Sequence, residues 1–315
     1  MIRVYYIKEG ELQWEKNEAP LDYSNVKIIW VDLQDPTELE KSQIELRFNI
    51  DFFTPQEASE IESSSRYFEG SNIIEANNVF VLYKDQNFYS KQVSFILKNK
   101  ILFTLRNDNL KTFAETTRKL KTLTEDSVSA EEIWAMLLET RIDLDADYIE
   151  GISRIINNTS KKLVKKKDTT EDILVKISEL QENTILIRES IFDKQRLVSA
   201  LIKSKKVPDE IKDRLRIIIK DIASLLQHTE FSFERLEYMQ NTFLGLVNIE
   251  QNQVIKIFTV VTVVFMPPTL IASIYGMNFE VIPELDWQYG YLFAIGIMIA
   301  SSLIFLLYFK KKKWL

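Results

Sequence analysis

Apolar residues fall into three successive textures along this chain. Up to about residue 106 they come in short runs rich in Val, Ile, Phe and Tyr: IRVYYI (2–7), VKIIWVDL (26–33), NNVFVLY (77–83), QVSFILK (92–98) and ILFTLR (101–106). Runs of this length and composition predict strands. Among them, PTELEKSQIELRF opens on proline and acid and spaces Leu39, Ile44 and Leu46 as a helix would. KNK at 98–100 predicts a turn between two strands, without the glycine such turns usually carry. The expectation for residues 1–108 is a small α/β domain with a mixed or antiparallel sheet.

From about residue 109 the period changes to three and four. Neither Gly nor Pro occurs between Gly70 and Gly151, nor between Gly151 and Pro208, and strong helix formers dominate. Residues 109–207 therefore predict long amphipathic helices paired antiparallel across KKLVKKKDTTED. The lysines of that stretch, 161–167, are followed at once by acids, which marks a solvated face rather than a nucleic-acid patch. Pro208 with Asp209 and Glu210 suits a helix start, and no further proline occurs before Pro267. A single stalk helix over 208–274 is predicted, with Gly245 its one weak point.

The third texture is membrane-grade. IFTVVTVVFMPPTLIASI (257–274) and YGYLFAIGIMIASSLIFLLYF (289–309) carry no charge, and about 20 such residues cross a bilayer as helix. The first span is expected at about 254–274, continuous with the stalk, and the second at 289–309. The loop 275–288 between them holds Glu280, Glu284 and Asp286 and no Lys or Arg, whereas the tail 310–315 begins with Lys310, Lys311, Lys312 and Lys313. The positive-inside rule puts that tail in the cytoplasm, the loop outside and, after two spans, the N-terminal part in the cytoplasm as well. Trp287, Tyr289, Tyr291, Tyr308 and Trp314 fall at interfacial depth. The fold class expected is an α+β cytoplasmic domain with long helices, then two C-terminal transmembrane helices.

Composition removes most enzyme classes. Among 315 residues of net charge −6 there is no cysteine, and His228 is the only histidine. Disulfides, thiolate sites, thiol nucleophiles, catalytic triads and multi-histidine metal sites are excluded. The seven glycines are dispersed and form no phosphate loop. His228, in the helical LLQHTEF, reads as structural. The first residues, MIRVYYIKEGELQWEK, lack a basic-then-apolar leader pattern. No enzyme, organic cofactor or nucleic-acid partner is expected.

Two spans cannot enclose a polar path alone, yet the first is not uniformly apolar. Asn252, Ile255, Thr259, Thr262, Met266, Thr269 and Ser273 recur at three and four as one stripe. Threonine hydroxyls can be satisfied by their own i−4 carbonyls. Alternatively the stripe faces an axis shared by several copies, which predicts a homo-oligomer of cyclic symmetry. In such a ring Asn278 repeats around the axis as a circle of neutral carboxamides. Mg²⁺ gives up its inner waters reluctantly; amide oxygens can hydrogen-bond those waters without replacing them, and an uncharged ring need not trap the ion. Gly276 permits close approach or a positive φ at the helix end. Glu280, Glu284 and Asp286 would concentrate cations at the mouth.

YGMNFE, with FMPPT before it, PEL after it, two C-terminal spans and a terminal YFKKKKWL, resembles the CorA family of magnesium channels. The motifs cover residues 250–315; the preceding part is similar in layout only. The resemblance implies a homopentamer with a cytoplasmic funnel in the inner membrane, passing Mg²⁺ and also Co²⁺ or Ni²⁺. It implies a selectivity filter at Gly276, Met277 and Asn278, a pore lined by Asn252, Ile255, Phe258, Thr262, Met266 and Thr269, and a basic collar at Lys310–Lys313. Phe258 is the family position where the stripe has Thr259. Gating by intracellular Mg²⁺ between neighbouring cytoplasmic domains is implied too. Here DRLRIIIKDIAS supplies only Asp213 and Asp221, with Ile217 or Lys220 where an acid is expected, so Asp143, Asp145 and Asp147 are alternative regulatory ligands. Two other readings stand beside this one: a Zn²⁺ transporter of the same fold, against which Met277 argues, and a non-conducting membrane-anchored sensor, which leaves the stripe unexplained.

Overall fold

The computed structural model describes residues 1–9, 11–17, 26–53, 66–85, 87–121, 128–166, 170–278, 282–283 and 286–314. It divides into two compact units, Met1–Met239 and Gln240–Leu315. One helix contributes to both.

The first unit is built on a seven-stranded sheet: β1 (Ile2–Lys8), β2 (Glu11–Asn17), β3 (Lys27–Gln34), β4 (Tyr67–Glu69), β5 (Ile73–Lys84), β6 (Asn87–Lys98) and β7 (Ile101–Arg106), in the order β2-β1-β3-β7-β6-β5-β4. Every pair is antiparallel except β3 with β7, so the sheet is mixed. The five apolar runs all lie in strands. The two strands that the pattern does not announce, β2 and β4, are the sheet's edges; a strand paired on one side only buries too little to need an apolar sequence. The turn between β6 and β7 places Asn99 and Lys100 at φ 51 and 61. These are the positive values that a tight hairpin demands, here met without glycine.

Alternation along each strand sends residues to two faces. One face buries Val4, Tyr6, Val31, Leu33, Ile96 and Phe103 beneath Ile44 and Phe48 of helix α1 (Glu38–Phe48). Helix α1 starts in a reciprocal capping box between Thr37 and Glu40. Of the three residues that suggested its periodicity, only Ile44 turns inward; Leu39 and Leu46 are exposed. On the other face Trp30 stacks on Tyr5, ring centres 4.3 Å apart, and donates to Thr104 Oγ1 at 3.0 Å. Thr104 in turn donates to Asp32, which also receives two bonds from the equally buried Arg106, at 3.1 and 2.8 Å. The Arg106 guanidinium lies over Phe113 of helix α2 (Lys111–Leu120). Every charge taken from water here has a partner, as burial requires.

Helices α3 (Ala130–Lys166) and α4 (Glu171–Lys203) cover the same face. Trp134 of α3 stacks on Phe95 of β6. A second buried charge cluster ties both helices to β5: Asp145 binds Arg141 and stands 3.2 Å from Lys194 Nζ, Arg141 donates to Val81 O, and Lys194 donates to Val79 O. The lysines at 161, 162 and 165 are exposed while Leu163 is buried, so this stretch of α3 is a solvated face. Helix α5 (Asp209–Tyr275) begins in this unit, where Arg214 pairs with Glu132 and Glu139 of α3 and Arg235 donates to Asn157. Those contacts advance together, so α5 runs parallel to α3. His228 is exposed on α5.

The second unit holds residues 240–275 of α5 and all of helix α6 (Gly290–Lys311). Both are long and apolar enough to cross a membrane, with mean hydropathies of 2.1 and 2.4 over their most apolar windows, which are scarcely buried.

Candidate functional site

Within the second unit, α5 and α6 meet along an antiparallel seam. Val260 and Val264 of α5 bury against Phe309, with Val263 and Phe305 beside them. Prolines 267 and 268 sit inside α5 without ending it. A proline has no N–H, so Pro268 deprives the carbonyl of Val264 of its helical donor. Ser302 of α6 supplies a replacement. Its Oγ lies 3.3 Å from Val264 O and 3.1 Å from Met298 O in its own helix, so one proton serves both carbonyls. In hydrocarbon a carbonyl without a donor is costly, and neighbouring hydroxyls are a standard remedy.

This seam settles which face of α5 remains open. At about 100° per residue, Ile255, Thr262, Met266, Thr269 and Ser273 lie roughly opposite Val260 and Val264. Ile255, Phe258 and Met266 are 60%, 67% and 60% exposed in the chain; Asn252, Thr262, Thr269 and Ser273 are exposed as well. Thr259 is half-buried. Of the two residues competing for one register, Phe258 is therefore the one turned further from α6. Between the stripe and the seam runs a bulky apolar flank of Val254, Ile257, Val261 and Phe265, also exposed. In the second unit the helix thus presents a seam, an apolar flank and a stripe that carries the exposed hydroxyls of Thr262, Thr269 and Ser273.

The threonine hydroxyls are already bonded. Thr259, Thr262 and Thr269 donate to the carbonyls of Ile255, Phe258 and Phe265 at 2.8, 2.9 and 2.8 Å. The threonines need no partner helix to be satisfied, and their oxygens keep lone pairs free to accept.

Helix α5 ends at Tyr275, and the next three residues are Gly276, Met277 and Asn278. The N–H of Gly276 is shared between Ala272 O (2.9 Å) and Ser273 O (3.2 Å), and that of Met277 reaches Ile274 O at 3.2 Å. Of the two reasons offered for the glycine, close approach is the operative one. A Cβ there would stand 3.2 Å from Ala272 O, while φ lies outside the left-handed region. Met277 and Asn278 are exposed. Of the acidic loop residues, Asp286 is exposed, while Glu280 and Glu284 lie outside the described residues. A cavity of about 670 Å³ lies between this end of α5 and the start of α6, lined by Tyr275, Gly276, Asp286, Trp287, Tyr291 and Ala294 among others.

At the opposite end Lys310 to Lys313 are exposed, the first two in the last turn of α6. On α5 in the first unit, Asp213 and Asp221 are exposed, and Asp213 pairs with Arg216. Among the described residues, no three His, Asp or Glu side chains converge as a metal site. The alternative trio divides by helical geometry. Asp143 and Asp147 are exposed, the former paired with Lys119 at 3.3 Å, but Asp145 faces inward and is fully buried. It is the counter-ion of Arg141 and Lys194 and cannot serve as a regulatory metal ligand. Sequence reading missed Ser302 as a seam residue and the C-terminal contact of Trp314 described below; paired prolines in one span opposite a serine in the other are the signal that could have indicated the first.

The comparisons with known proteins bear on the fold and the family. The family described as "CorA-like Mg2+ transporter protein" matches residues 25–311. The magnesium transport protein CorA of Wolinella succinogenes is 38% identical over the whole of both chains. That of Helicobacter pylori strain 26695 is 37% identical over 93% of each. Among solved structures, the complete CorA magnesium transporter from Methanocaldococcus jannaschii aligns with a TM-score of 0.84 at 19% identity, covering 100% of this chain and 99% of that one. The full-length CmaX protein aligns at a TM-score of 0.75 and 15% identity, covering 100% and 98%. With a family match that takes in nearly its whole length and full-length relatives above one-third identity, this membrane protein belongs to the CorA-like Mg²⁺ transporter family.

Proposed function

We propose that the chain assembles as a homo-oligomer, a pentamer by family resemblance, and conducts hydrated Mg²⁺ through a pore lined by α5. The observation that carries this reading is the division of α5 into faces. The seam is occupied by α6 of the same chain, and the stripe of Asn252, Ile255, Phe258, Thr262, Met266 and Thr269 is turned away from it. Several copies arranged with stripes inward put α6 outside and use the apolar flank for contact between copies or with lipid. Because the threonine hydroxyls already donate to their own helix, they offer oxygens to the waters of a passing ion. Isoleucine, phenylalanine and methionine alternate with them as apolar constrictions that close by dewetting.

Gly276, Met277 and Asn278 form the entrance, with Asn278 as a neutral amide ring and Asp286, Glu280 and Glu284 as the acidic surroundings. Lys310–Lys313 form the basic collar on the cytoplasmic side of the cell's inner membrane, where both termini lie. The first unit is the regulatory part. Asp213 and Asp221, exposed on α5, are the acids that would hold Mg²⁺ between neighbouring copies. Such an ion closes the pore by screening repulsion between acids, and its loss at low internal Mg²⁺ releases it. Co²⁺ and Ni²⁺ are of similar size and charge and enter by the same route.

The test is Mg²⁺ uptake into dye-loaded proteoliposomes at varied internal Mg²⁺. Asn278→Ala abolishes uptake while the oligomer mass stays that of wild type. Undiminished uptake by this variant removes the filter role, and uptake indifferent to internal Mg²⁺ removes the feedback.

A further inference from the structure

Helix α6 ends in a complete Schellman motif. Lys313 adopts the left-handed conformation at φ 58, the N–H of Trp314 bonds Phe309 O at 3.0 Å, and that of Lys313 bonds Lys310 O at 3.1 Å. The hydrophobic contact that accompanies such caps is present too: Trp314 stacks on Phe309 with ring centres 5.6 Å apart and planes 26° from parallel. Glycine normally takes the left-handed position because a side chain there costs energy. Here a lysine takes it, and the outcome is that the chain reverses and the indole lies back along the seam. Lys256 of α5 meets it, with Nζ 5.9 Å from the ring centre. A cation over an indole face at this range is attracted by the ring's quadrupole.

Lys256 is the one cation of α5 close to the stripe. It follows Ile255 directly, yet it lies four residues before Val260 and eight before Val264, which puts it on the seam side of the helix. Its flexible stem would let the ammonium swing toward Ile255 and Asn252. From the geometry we infer that Trp314 is a positioning residue for conduction: its ring parks the Lys256 ammonium at the span–span seam, away from the cation path. The inference rests on α5 lining the pore. In a ring of copies, each unparked ammonium would add a positive charge beside a dication's route. At about 8 Å in water, one such charge lowers the local dication occupancy by roughly two- to five-fold after screening by salt.

The experiment measures Mg²⁺ uptake by the full-length oligomer in proteoliposomes at two ionic strengths. Trp314→Leu stays apolar but loses the π face; it is expected to lower uptake about two- to five-fold, more at low salt than at high salt. Trp314→Phe retains a ring and most of the uptake. Lys256→Gln conducts at the wild-type rate or above, and in its background Trp314→Leu has no further effect. If Trp314→Leu does not assemble, a fluorinated tryptophan at 314 weakens the π face without changing shape and should give the same salt-dependent loss. The inference is overturned by an equal loss in the Lys256→Gln background, by a loss indifferent to salt, or by no loss. Should Asn278→Ala leave uptake intact in the same vesicles, the pore reading itself would be at fault; a dead Asn278→Ala with an unaffected Trp314→Leu fails this inference alone.

Discussion

Replacing Lys194 by methionine tests the charge cluster that binds α3 and α4 to the sheet. Lys194 is completely buried. Its ammonium donates to Val79 O and Ser190 O, each at 3.0 Å, touches Ser190 Oγ, and stands 3.2 Å from Asp145. Burial pushes its pKa down to about 8, against the opposing pull of Asp145 and with Arg141 adding to the depression. The unfolded chain keeps this proton to about pH 10.5, so between about pH 8 and 10.5 the unfolded state binds more protons and stability rises with pH. At about 1.4 kcal/mol per pH unit the gain is on the order of 3 kcal/mol. Methionine of similar length cannot titrate and loses that slope. The assay is thermal or denaturant unfolding of the detergent-solubilised protein, followed by the fluorescence of buried Trp30 and Trp134, at closely spaced pH values. Subtracting the Lys194→Met curve isolates the lysine, and the difference should grow in favour of wild type as pH climbs through the window. A difference that stays flat, or falls, over that range refutes the reasoning about the buried ammonium.

The other predictions concern the sheet and the spans. Asp32→Ala leaves the guanidinium of Arg106 buried beside Phe113 with its main counter-ion gone, and should cost about 3–5 kcal/mol in the same unfolding assay. Ser302→Ala removes the donor that serves Val264 O opposite Pro268; it should weaken the association of the two spans by about 0.6–2 kcal/mol, read as a lower melting temperature of the oligomer in detergent. Thr262→Val removes a hydroxyl whose proton is already used within the helix, so melting should move little, within about 0.5 kcal/mol. If the stripe lines the path, Mg²⁺ uptake should nonetheless fall, and unchanged uptake would place Thr262 away from it.

Much of this molecule is legible in one dimension because membrane and solvent impose strong patterns. The two uncharged runs have the length that crosses a bilayer as helix, and hydrocarbon offers no water to the backbone, so its N–H and C=O groups must bond within the helix. The five apolar runs lie in strands because central strands must be apolar to be buried. Edge strands β2 and β4 escaped notice because they are not. The stripe on α5 was visible as a spacing of three and four, but spacing alone cannot say which side of a helix is free.

Packing decided that. Only after Val260 and Val264 are seen against Phe309 does the stripe become the face left over, and only then is Phe258 separated from Thr259. Asp145 makes the same point in the first unit. As one of three alternate acids it looked like a metal ligand. Helical rotation of about 100° per residue places it roughly half a turn from the side its neighbours Asp143 and Asp147 share, and once inside it must be neutralised by Arg141 and Lys194. Periodicity is written in the chain because each residue's own transfer between water and an apolar medium sets it. Which partners meet depends on contacts between residues far apart in sequence, such as Lys256 with Trp314, and these exist only once the helices are packed.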